Sequence, residues 1–173
     1  MAKLEIGIEA PDLKGSSVTK TGDFDLKKSM KAKPVVVVFS RYFGCPACQA
    51  DFDELVEVKD KLAKKATIVY ITQSTKSSAE KFLSDKKGVD FSILCDPEKP
   101  YPLYKAWGVG KVGISTLPKL IKKAKASKHE HGPKEGDEAQ SPADFVVGTD
   151  GKLVYVNYSL LDIGKLLELV EKL

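Results

Sequence analysis

The chain has 173 residues, of which 42% are hydrophobic and 30% charged, a balance that supports a packed globule and excludes a disordered polypeptide. A length near about 150 residues corresponds to one domain, so residues 1–173 are expected to form a single domain. With 28 basic and 24 acidic residues mixed along the chain, the net charge of +4 gives little ground for nucleic-acid binding, and three cysteines are too few for a disulfide scaffold.

The opening residues, Met1-Ala2-Lys3-Leu4-Glu5, carry no apolar signal core, which predicts an intracellular, cytoplasmic protein. No apolar run approaches the ~20 residues of a membrane span. Residues 1–33 read as an irregular arm, with turns at Pro11-Asp12, Gly15-Ser16 and Gly22-Asp23. Val35-Val36-Val37-Val38-Phe39 is a continuous β-branched run, suited to a strand covered on both faces. A loop to Gly44 leads into a helix over 46–64. Residues 67–72 are a second strand, and Ser77 with Glu80 has capping-box spacing for a helix over 77–87 that stops at Gly88. A short strand (91–95), a short helix (101–107) and a lysine-rich amphipathic helix (117–127) follow. Residues 128–142 are polar and read as a mobile loop, so that 119–142 forms a helix-plus-loop insertion. Two strands (144–148 and 152–157) flank Thr149-Asp150-Gly151 as a hairpin, and a helix using Ile163, Leu166, Leu167 and Val170 closes the chain. The alternation predicts an α/β three-layer sandwich with a mixed central sheet between helices.

The chemistry centres on Gly44-Cys45-Pro46-Ala47-Cys48-Gln49, between a buried strand and a helix start. Two intervening residues bring the sulfurs together across one helical turn. The free N–H groups and positive dipole of a helix N-terminus stabilise a thiolate there. Arg41, the only arginine in the chain, stands four residues earlier and can add charge and donors for a thiolate or a bound peroxide. A zinc site would need two further ligands, for which Cys95, His129 and His131 are the candidates; redox chemistry is the better reading.

Several stretches resemble the AhpC/TSA family of peroxiredoxins. Ala10-Pro11-Asp12-Leu13 with Gly22 and Leu26 is similar to the family's opening. Residues 39–48 resemble a peroxiredoxin-like subfamily in which C-x-x-C replaces Thr-x-x-Cys. Cys95-Asp96-Pro97 and the stretch 145–152 are similar to later segments of that subfamily. The resemblance covers nearly the whole chain and implies a thioredoxin-like fold. It implies a thiol peroxidase acting through a Cys45–Cys48 redox pair, with a hydroperoxide as substrate and a thioredoxin-like or other dithiol as reductant, and with no metal or organic cofactor. A general thiol–disulfide oxidoreductase and a metal-binding thioredoxin-like module are the alternatives. The family analogy puts the attacking thiolate on Cys48. Thioredoxin-like reductases put it on Cys45. The expectation carried forward is attack by Cys48, resolution by Cys45 and charge from Arg41. The chain departs from typical peroxiredoxins in having Arg41 where they have proline, and Ser141-Pro142-Ala143-Asp144 where they have an arginine. Thioredoxins have a cis-proline in that later region, which makes Pro142 a candidate for a cis bond.

Other residues have plainer readings. Cys95 is a second candidate resolving thiol but reads first as a buried residue. Tyr42, Phe43 and Trp107 are candidates to wall the site or to pack the core. His129 and His131 read as solvated loop residues. Lys119, Lys122, Lys123, Lys125 and Lys128 form a basic cluster, read as a solvated face and alternatively as a dock for an acidic redox partner.

Overall fold

The computed structural model describes residues 2–173; Met1 lies outside them. The core is a five-stranded mixed sheet in the order β5–β4–β3–β6–β7. Its strands are β3 (Val35–Phe39), β4 (Thr67–Thr72), β5 (Ser92–Cys95), β6 (Ala143–Val147) and β7 (Leu153–Asn157). Strand β3 is central because all five of its residues are apolar and buried, so neither face needs water. Val35, Val37 and Phe39 enter one core with Trp107 and Phe145, while Val36 and Val38 enter the other with Phe52 and Leu55. Burying each such side chain is worth about 1.5–3 kcal/mol. Strand β3 runs parallel to β4, with Phe39 opposite Ile71, and antiparallel to β6, with Phe39 opposite Ala143.

The helices fill both faces. Helix α2 (Pro46–Ala63) leaves the end of β3, α3 (Lys76–Leu83) leaves β4, and α4 (Pro102–Ala106) follows β5. Helix α5 (Leu117–Ala126) packs on α2, and α6 (Ile163–Lys172) closes the same layer. No helix among the described residues is long and apolar enough to cross a membrane.

Three expectations change. The N-terminal arm is not wholly irregular. Short strands β1 (Lys14–Ser16) and β2 (Asp23–Asp25) form a hairpin, and α1 (Leu26–Ser29) follows, capped by Asp25. Helix α3 starts at Lys76 and not at Ser77, and its N-cap is Thr75, whose Oγ1 accepts from Ser78 N at 3.2 Å. It ends at Leu83, because Ser84 Oγ donates to the Lys81 carbonyl at 2.7 Å and turns the chain before Gly88. The segment 127–142 is no free loop. It is tied across the C-terminal ends of β3 and β4, as described next. The β6–β7 turn closes as expected, with Gly151 in the left-handed region at φ 85° and donating to the Gly148 carbonyl at 3.0 Å.

Candidate active site

The cysteine pair sits where β3 ends and α2 begins. Cys45 is the N-cap of α2 in extended conformation, and Pro46 occupies the first helical position, where its missing N–H costs nothing. Cys48 follows within that first turn, so both side chains meet the free N–H end of the helix. Both cysteines are free thiols, and the residues are 1% and 2% exposed, packed with Tyr42, Ala47 and Leu120.

Arg41 turns back onto this pair. Its Nη2 donates to Cys45 Sγ at 2.7 Å, and its Nη1 donates to the Glu138 carbonyl at 2.5 Å. Its Nε–H is buried without a hydrogen-bond partner among the described residues. The adjacent Cys48 thiol, with the Arg41 guanidinium that donates to the Cys45 sulfur, brings the Cys45 pKa down to about 6. Burial pushes Cys48 the other way, well above the usual thiol range. Both directions favour Cys45 as the thiolate of the reduced pair, whereas the sequence analogy put the attacking thiolate on Cys48. A proton shared between two adjacent sulfurs leaves one of them anionic; the Arg41 charge acts on both, and its hydrogen bond goes to Cys45.

The segment 127–142 forms a strap over the site, held largely through its backbone. Gly132 N donates to the Gly44 carbonyl at 2.9 Å, and Gln49 Nε2 donates to the Glu130 carbonyl at 3.2 Å. The Arg41–Glu138 bond is a third tie. Asp137 N donates to Gln73 Oε1 at 2.9 Å, and Ser78 Oγ to Glu135. His129 Nε2 lies 2.8 Å from Asp53 on α2, and His131 Nε2 lies 3.4 Å from Tyr42 Oη. Gly44 is required here, because a Cβ at this position would lie 2.2 Å from the Pro133 carbonyl oxygen. A groove lined by Phe43, Gly44, Gln49, Phe82 and Pro133 opens beside this crossing.

A layer of carboxyls lies behind the sulfurs. Asp51 is buried and ion-paired with Lys123 of α5, and burial raises its pKa to about 6. Lys123 also reaches Glu54 at 2.8 Å, so this member of the lysine cluster is turned inward. Asp144 on β6 is fully buried. It accepts from Asn157 Nδ2 at 2.8 Å, its Oδ2 has no partner, and burial raises its pKa to about 8. The Tyr70 hydroxyl near Ser40 is likewise buried and unpaired. Asp144, Tyr70 and Ser40 were not singled out from the sequence. The available signal was Asp144 itself, a charge inside the apolar run 143–147.

The other candidates separate from the site. Cys95 ends β5, two strands away from β3, and burial raises its pKa to about 11. Trp107 is buried in the opposite core against Phe39 and Phe145. Phe43 stacks on Phe82 at 4.2 Å, and Tyr42 alone of the three aromatics packs with the cysteines. Among the described residues the cis X–Pro bond is Lys99–Pro100, so Pro142 is trans, immediately before β6. The described residues bring together no group of three or more His, Cys, Asp or Glu side chains able to hold a metal ion.

Known proteins give the arrangement a context. The model of the AhpC/TSA family matches residues 6–156. Among solved structures, peroxidoxin BcpB from Mycobacterium tuberculosis superposes with a TM-score of 0.70 at 19% identity, covering 98% of both chains. The reduced 2-Cys peroxiredoxin of Plasmodium vivax gives 0.70 at 14% identity, covering 96% of this chain and 94% of that one. A DsbF homologue from Corynebacterium diphtheriae gives 0.64 at 19% identity, covering 95% of this chain and 86% of that one. These likenesses establish the thioredoxin-like fold. No curated protein matches the chain.

Proposed function

Because the chain belongs to the AhpC/TSA family of oxidoreductases, we propose that it is a thiol peroxidase in which Cys45 attacks the peroxide and Cys48 resolves the product. The observation that carries this reading is Arg41. One of its N–H groups holds the Cys45 sulfur, another holds the strap, and the buried Nε–H has no acceptor. A donor kept unpaired beside a thiolate suits a ligand oxygen, since an unmet buried donor costs about 1–3 kcal/mol. The closed strap supports the same reading. A small hydroperoxide needs a modest opening to reach cysteines that are at most 2% exposed, whereas a polypeptide disulfide needs the strap displaced.

The chemistry balances as follows. The Cys45 thiolate attacks the terminal peroxide oxygen, the O–O bond breaks, and the alkoxide or hydroxide leaves and takes a proton. Arg41 stabilises the charge developing on that oxygen. The Cys45 sulfenic acid then condenses with the Cys48 thiol, whose proton leaves with the hydroxyl as water, and a Cys45–Cys48 disulfide forms. A dithiol reductant supplies two electrons and two protons to restore the pair.

The test is rapid mixing of reduced protein with hydrogen peroxide and with a lipid-like hydroperoxide. Cys45→Ser is expected to abolish fast oxidation. Cys48→Ser is expected to keep the first step and accumulate sulfenic acid on Cys45. Oxidation of the wild type no faster than a free thiol would replace peroxide reduction with disulfide exchange as the activity.

A further inference from the structure

Helix α5 has two unlike faces. Leu120 and Ala124 pack inward on the cysteine pair, and Lys123 pairs with Asp51 and Glu54. The outward face is apolar: Leu117 and Ile121 are each 45% exposed, and Ile114, just before the helix, is 95% exposed. With Pro118, Leu117 and Ile121 line a shallow groove edged by Lys122 and Lys125. No acidic residue occurs between Ile114 and His129, while five lysines do. The last turn of α5 leads directly into the strap over Cys45.

From this placement we propose that the outer face of α5 is the docking surface for an acidic protein dithiol, the reductant of the Cys45–Cys48 disulfide. The inference rests on the redox function proposed above for that pair. The occupant follows from charge. Apolar centres ringed by lysine attract a partner with an apolar contact point in an acidic surround. A second copy of the chain would set lysines against lysines, which like-charge repulsion opposes. A partner seated on α5 also sits at the root of the strap that must lift before its thiolate reaches Cys45.

The experiment starts from protein already oxidised to the disulfide with diamide, so it reads docking whether or not peroxide is the physiological oxidant. Reduction is followed with an acidic thioredoxin and, separately, with dithiothreitol. Ile121→Glu combined with Lys122→Glu is expected to raise the KM for thioredoxin about 10-fold and to flatten its salt dependence. The dithiothreitol rate should remain within about 2-fold, because the variant touches neither sulfur nor Arg41. Lys28→Glu, on α1, makes one of the same charge changes outside the patch and should leave both rates as they are. Equal thioredoxin KM values for wild type and the double variant would overturn the proposal. So would a wild-type disulfide that thioredoxin reduces no faster than dithiothreitol does. A dimer in sedimentation that Ile121→Glu dissolves would make a second copy the occupant and overturn it as well.

Discussion

Two neighbours act on the Cys45 sulfur, the Cys48 thiol and the Arg41 guanidinium, and their relative weight can be measured. The Cys48 thiol contributes most to lowering the Cys45 pKa to about 6, ahead of the Arg41 charge. Cys48→Ala should therefore raise the Cys45 midpoint further than Cys48→Ser, whose hydroxyl still donates; thiolate ultraviolet absorbance against pH reads both. In the wild type, peroxide reactivity should rise through pH about 6 and stay level above it. Arg41→Met removes charge and the free Nε donor together, so its peroxide rate at neutral pH should fall about 10-fold or more. An unchanged rate would remove Arg41 from the chemistry. The cysteine pair and Arg41 were legible in the sequence through spacing and scarcity. Which cysteine carries the charge was not, because that depends on how far each sulfur is buried and on the turn that brings Arg41 back to Cys45.

At the scale of elements, β3, β4 and α2 could be read almost to the residue because their apolar periods coincide with burial on both faces of the sheet. The strap could not. Its ties to Gly44, Gln49 and Arg41 run through the backbone of Gly132, Glu130 and Glu138, and backbone contacts leave no side-chain pattern. Its composition, polar and glycine-bearing, is that of an untethered loop. Gly44→Ala tests whether the strap gates access. The added methyl collides with the Pro133 carbonyl and must lift the crossing. Alkylation of Cys45 by a bulky maleimide should accelerate about 10-fold, with a stability loss of about 1–2 kcal/mol. Unaltered alkylation would mean that the strap does not control entry.

For the molecule as a whole, stability should depend on pH through Asp144. Its carboxyl titrates near 8 when folded and near 3.8 as an ordinary aspartate, so between those values the folded state binds the extra proton. Stability then falls as pH rises across that window, by up to about 1.4 kcal/mol per pH unit. Asp144→Asn preserves an acceptor for Asn157 and removes the titration, so its advantage over wild type in urea unfolding should grow from mildly acid to mildly alkaline pH. A constant difference would show that the carboxyl is not held neutral. One further property belongs to the whole chain: among 28 basic side chains a single one is a guanidinium, and it donates to the Cys45 sulfur. Protein grown on nitrogen-15 arginine would therefore give nuclear magnetic resonance signals from that one position alone. Closing the disulfide removes the anion that Nη2 faces, so those signals should move with each redox cycle, and the protein's turnover could be followed inside an unfractionated mixture without an attached label.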